Sequence, residues 1–171
     1  MPKDEHSHHL SRKDIHNDNI EKHIEEIQCE FKDGFNFLKK YPKSVTIYGS
    51  ARAKHDSQYW KLAEELGNKI VKELKYAVVS GGGPGIMEAA HEGAHKAGGQ
   101  AVALGIKLPH ETSSNKYSTD RMLFTYFFAR KTMLAFAAEA YVFFPGGYGT
   151  FDELFSTLTL IQTRKIPSVP V

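Results

Sequence analysis

Four short apolar runs in this chain leave through glycine or other small residues, with helical sequence between them. They are Val45-Thr-Ile-Tyr48 before Gly49-Ser50-Ala51, Ala77-Val-Val79 before Gly81-Gly82-Gly83, Ala101-Val-Ala-Leu104 before Gly105, and Tyr141-Val-Phe-Phe144 before Gly146-Gly147-Tyr148-Gly149. Runs this short and rich in Val read as buried strands. The intervening stretches predict helices over 57–74, 84–97, 119–138 and 151–163, with Pro84 suited to a first helical turn. Strands alternating with helices imply an α/β fold, a Rossmann-like doubly wound parallel sheet with helices on both faces. Ligands of such sheets bind outside the carboxyl ends of the strands, so the four exits are expected to converge on one crevice. Residues 169–171 read as the start of a fifth strand, and the sheet is expected to be truncated there at the C-terminus of the chain.

Residues 1–40 read differently, as a polar tail followed by an amphipathic helix. Ile20, Ile24, Ile27, Phe31, Phe35 and Leu38 recur every three or four positions. The Rossmann-like nucleotide-binding domain is expected over residues 41–171. His6, His8, His9, His16 and His23 lie in the first part without a ligand set at metal spacing, so a solvated tail is favoured and no metal site is expected. The single cysteine, Cys29, allows no internal disulfide and fits a cytoplasmic setting. No apolar run approaches a membrane span, and the formal charge of +2 gives no argument for nucleic acid as a partner.

Two of the exits, 81–85 and 146–150, run from strand through glycines into helix. Glycine lets backbone N–H groups approach a phosphate, and the following helix start adds partial positive charge. The bland alternative is a tight turn. Neither has dinucleotide or P-loop spacing. Thr150 and Glu153 carry the same ambiguity, because Thr-x-x-Glu is also a capping box. In that case Glu153 would bond back to its own helix start; otherwise Thr150 contacts phosphate and Glu153 faces the sugar.

Arg130 and Lys131 are the only charges between Arg121 and Glu139. A charge on a largely apolar helix needs a partner or a cavity, and guanidinium suits an anion; a snorkelling pair at the helix edge is the alternative. Glu88 either complements its helix dipole or touches substrate. Ser50 either caps a turn or contacts ligand, as do Gly82 and Gly83 of the second glycine loop. Glu111 and Asn115, on a polar loop, are candidate base or ribose contacts.

Gly-Ser-Ala-Arg52, Ser80-Gly-Gly-Gly-Pro-Gly-Ile-Met-Glu-Ala-Ala90, Phe127-Phe-Ala-Arg-Lys-Thr-Met133 and Pro145-Gly-Gly-Tyr-Gly-Thr-Phe-Asp-Glu153 together resemble the LOG (Lonely Guy) family, in motif order across 45–171. The motifs look like its bacterial branch, whose members often carry a lysine decarboxylase label. The resemblance implies a hydrolase that splits nucleoside 5′-monophosphates into free base and ribose 5-phosphate, works without a cofactor and forms a homodimer or higher homo-oligomer. It places the catalytic pair on Arg130 and Glu153 and the phosphate loop on Gly146, Gly147, Gly149 and Thr150. Two rivals remain. One is a carrier of a phosphorylated cofactor such as molybdenum cofactor. The other is a pyridoxal-phosphate decarboxylase, for which Lys131 is the one nearby lysine.

Overall fold

The computed structural model describes residues 20–107 and 114–171. In chain order its elements are α1 (Ile20–Leu38), β1 (Ser44–Tyr48), α2 (Gln58–Lys69), β2 (Ala77–Ser80), α3 (Ile86–Lys96), β3 (Ala101–Ile106), β4 (Asp120–Phe124), α4 (Phe127–Phe136), β5 (Ala140–Phe143) and α5 (Tyr148–Gln162). Ser57 caps α2 by accepting from the Trp60 N–H, and a π-helical turn, Ile70–Leu74, continues the helix. The five strands form one parallel sheet in the order β4-β3-β2-β1-β5. β1 therefore lies inside the sheet, and all five of its residues are buried.

Side chains on successive strand residues face opposite ways, and the two cores follow this rule. Val45, Ile47 and Val78 pack with Trp60, Ala63, Ile86 and Ala90, under α2 and α3. Tyr48, Ala77 and Val79 point to the other side, where Ala129, Met133 and Leu134 of α4 meet them. The amphipathic helix α1 lies over α4. Its Ile27, Phe31 and Leu38 pack on this second core, whereas Ile20, Ile24 and Phe35 of the same periodic set stay exposed. Phe31 stacks on Phe128 with ring centroids 6.3 Å apart. The Glu30 carboxylate accepts from the Thr125 and Tyr126 N–H groups at 2.5 and 3.2 Å. α1 thus supplies the cap for α4, whose own Tyr126 has no capping side chain.

The helix expected over 119–138 is not continuous. Its first part is the edge strand β4, paired with β3 from Val102↔Asp120 to Ile106↔Phe124. Its half-exposed alternation, with Phe124 buried and Leu123 exposed, belongs to a strand covered on one face. Five residues are too few for periodicity to separate the two structures. Residues 169–171 are not a strand; one bond, from the Tyr141 N–H to the Pro170 carbonyl at 2.9 Å, holds them beside β5. Among the described residues no helix is long and apolar enough to cross a membrane.

Candidate active site

β1 ends between β2 and β5 on the carboxyl edge of the sheet, and the loop after it ties both glycine loops together. The Ser50 N–H donates to the Pro145 carbonyl at 3.1 Å, and the Ser50 carbonyl accepts from the Ile86 N–H at 3.0 Å. Its hydroxyl accepts from the Arg52 N–H at 3.1 Å, which makes a local turn. Above these loops opens a crevice of about 730 Å³, walled by the end of β1, by Gly81, by α4 and by the first two turns of α5.

α5 begins at Tyr148, not at 151. Gly147 occupies the cap position with an extended backbone (φ −91°, ψ −161°) and no side-chain cap. The Thr150-x-x-Glu153 capping box is therefore not formed, since Thr150 already lies inside the first turn and Glu153 in the second. Gly147, Gly149, Thr150 and Glu153 all line the crevice; Gly146 is not part of its wall and lies against Thr150 and Ser50. A side chain on Gly146 would overlap the Thr150 hydroxyl and reach the Ser50 N–H, so glycine is what lets Thr150 fold over the loop.

Arg130 enters from α4. Its Nε–H donates to the Leu104 carbonyl at 2.7 Å, and its Nη2 packs against Gly81. Burial pushes the guanidinium below its ordinary value, opposed by Glu153 and Tyr48. Burial likewise raises the Glu153 carboxyl, opposed by Lys131 and Arg130. Lys131 and Arg130 both favour the ionised carboxylate, but desolvation outweighs them, so Glu153 takes a proton more readily than a free carboxylate.

Other residues singled out from the sequence lie elsewhere. Lys131 faces Asp152, with Nζ 2.5 Å from the carboxylate, and is not part of the crevice wall. Glu88 sits in the first turn of α3, outside the crevice. Gly82 and Gly83 are also outside it, and Gly81 is the glycine of that loop which touches Arg130. Asn115 holds the loop from behind. Its Nδ2 donates to the Gly82 and Gly83 carbonyls, each at 3.2 Å, and its backbone N–H donates to Gly82 at 2.7 Å. Behind it lies His91, fully buried, with Nε2 3.0 Å from the Ser80 hydroxyl and Nδ1 3.2 Å from Asn115 Nδ2. Glu111 falls outside the described residues. Among the wall residues that sequence reasoning missed are Tyr48, Met87, Phe127 and Leu134. Tyr48 had one usable signal, its place as the last strand residue before Gly49.

The comparisons with known proteins agree with this architecture. A family model described as possible lysine decarboxylase matches residues 87–171. Over 125 residues the chain is 29% identical to the cytokinin riboside 5′-monophosphate phosphoribohydrolase LOG3 of Arabidopsis thaliana, covering 72% of this chain and 57% of that protein. The chain thus spans little more than half of that relative's length. The X-ray structure of the structural-genomics target TM1055 superposes with a TM-score of 0.59 at 30% identity, over 69% of each chain. The molybdenum cofactor binding protein of Rippkaea orientalis superposes with a TM-score of 0.54 at 26% identity, over 68% of this chain and 69% of that one.

Proposed function

We propose, for a chain that belongs to the LOG family, that it hydrolyses the N-glycosidic bond of nucleoside 5′-monophosphates to free base and ribose 5-phosphate. The observation that carries this reading is the convergence of Glu153, Arg130 and the start of α5 on one crevice. The 5′-phosphate sits at the N-terminus of α5, near the Tyr148 and Gly149 N–H groups and the Thr150 hydroxyl, where the helix dipole favours an anion. Held there, the sugar extends toward Glu153. Cleavage builds positive charge on the ribose ring, which the Glu153 carboxylate stabilises while it accepts a proton from the attacking water. A carboxyl raised by burial is suited to that proton transfer. Arg130 binds an electron-rich part of the nucleotide.

A second reading, a carrier for a phosphorylated cofactor, is supported by the likeness to the Rippkaea orientalis molybdenum cofactor binding protein. Two ionisable groups shifted by burial on the wall of one crevice favour chemistry over carriage. The decarboxylase reading has little support, since Lys131 is engaged with Asp152. Exposed Phe136, Phe155 and Leu158 on α4 and α5 favour a homo-oligomer, which light scattering would test. A cytoplasmic setting and the division at residues 40 and 41 belong to the same proposal.

Incubating the purified protein with AMP and with a cytokinin riboside 5′-monophosphate, and separating products by chromatography, tests the function. Free base with ribose 5-phosphate in equal amounts is expected. Nucleotide binding without base release would replace hydrolysis by the carrier reading.

A further inference from the structure

Tyr48 closes β1 at the floor of the crevice. Its ring is accounted for: it stacks on Phe143, its register partner on β5, with centroids 4.7 Å apart and planes 10° from parallel. Its hydroxyl is not. The residue is 6% exposed, and the oxygen is buried with no hydrogen-bond partner among the described residues. Buried hydroxyls are costly to leave unpaired, and phenylalanine would give the same stack without that cost. Among the described residues three other buried side-chain atoms also lack a hydrogen-bond partner, Thr46 Oγ1, Trp60 Nε1 and Glu92 Oε2, but of the four residues Tyr48 is the one that lines the crevice.

The surroundings narrow what the hydroxyl is for. Arg130, beside it, only donates. The proposed phosphate position is the start of α5, whereas Tyr48 has Glu153 and Arg130 as its charged neighbours on the crevice wall. We infer that the Tyr48 hydroxyl donates a hydrogen bond to a ribose hydroxyl of the bound nucleotide and makes the crevice select ribonucleotides over deoxyribonucleotides. The inference rests on the crevice being the ribose phosphate site. Burial and the nearby Glu153 carboxylate raise the phenol further, so it stays a protonated donor. A site built to bond a substrate hydroxyl rejects the analogue lacking it, because the protein group is then left unpaired.

The test compares AMP, 2′-deoxy-AMP and 3′-deoxy-AMP on the wild type and on Tyr48→Phe. Wild type should prefer AMP over one of the deoxy nucleotides by roughly 10-fold or more. Y48F should lose most of that preference by losing AMP efficiency, with its melting temperature unchanged or higher. An equal fall on all three substrates would overturn the inference, since Tyr48 would then act through Glu153 or through packing. Calorimetry with ribose 5-phosphate and 2-deoxyribose 5-phosphate adds a readout that needs no turnover. Absence of base release alongside sugar discrimination that Y48F erases would remove the hydrolysis and leave the Tyr48 contact. Equal wild-type handling of all the ribo and deoxy ligands would remove the contact even if hydrolysis stands.

Discussion

The Arg130 guanidinium packs against the α-carbon of Gly81, so closely that a methyl group there would overlap Nη2. The rest of the side chain is pinned, because Nε–H is bonded to the Leu104 carbonyl. Gly81 therefore sets where the cation sits in the crevice, although it has no side chain of its own.

Gly81→Ala should separate activity from stability. The atom in the way is Nη2 at the tip of the Arg130 side chain, beyond the pinned Nε, rather than backbone, and the Gly81 backbone is not left-handed. The fold should lose less than about 1 kcal/mol in urea unfolding. The guanidinium must move by about an ångström, which costs roughly 10²-fold in kcat/KM when positioning matters. A G81A protein with full activity would show that the Arg130 position is not critical.

Glu153→Gln should reduce kcat by roughly 10²- to 10⁴-fold if the carboxylate is the general base. In the wild type, kcat/KM should fall on the acid side with a midpoint above the ordinary carboxylate value of 4.5, because burial raises Glu153. Stability carries the same signature with a fixed sign. Between the unfolded value and the raised folded one, the folded state holds more protons, so stability falls as pH rises through that window. Rate profiles and denaturation at several pH values check both, and an acid limb that persists in residual E153Q activity would assign it to another group.

Much of the site was legible because glycine signals are strong. The exits at Gly49, Gly81 and Gly147 lie on the crevice, and Arg130 stood out as a charge in an apolar helix. The start of α5 was not legible. Gly147 and Gly149 argue for a loop on propensity, yet extended Gly147 turns the chain directly into a helix at Tyr148. That shift of three residues removes the capping box which the Thr150–Glu153 spacing suggests. β4 was hidden for a different reason, since a five-residue edge strand running into α4 looks like one helix. The role of α1 was invisible as well. Glu30 reads as an ordinary solvated charge until the fold brings it to Thr125 and Tyr126, about 95 residues away.

α1 is expected to stabilise the helix that carries Arg130. Glu30→Ala removes the acceptor for the Thr125 and Tyr126 N–H groups and should cost about 1 kcal/mol, the usual value of a helix cap. Gly34→Ala attacks the same contact by bulk. Its Cβ would stand 2.7 Å from Met133 Cγ and Sδ and 3.3 Å from Phe124. Overpacking there should cost about 1–3 kcal/mol. Both losses are read by chemical unfolding at neutral pH. An unchanged midpoint for both variants would show that α1 contributes no stability to α4.

The buried His91 network makes the second glycine loop sensitive to acid. Asn115 Nδ2 is oriented by the Gly82 and Gly83 carbonyls, so it presents a donor to His91 Nδ1. The Ser118 hydroxyl also lies 3.1 Å from Nδ1, and Nε2 lies 3.0 Å from the Ser80 hydroxyl. Protonating both ring nitrogens would put a charge on an imidazole that burial keeps from water. Burial pushes His91 down from 6.5 to about 4. Between those values the unfolded chain binds the proton and the folded one does not, so stability is fully present above 6.5 and drains away as pH falls toward 4. Two to three pKa units correspond to roughly 3 kcal/mol. His91→Gln should be less stable at pH 7 and should lose this part of the slope between pH 6.5 and 4. Urea unfolding of both proteins across that range checks it, and the same slope in the variant would place the acid sensitivity elsewhere.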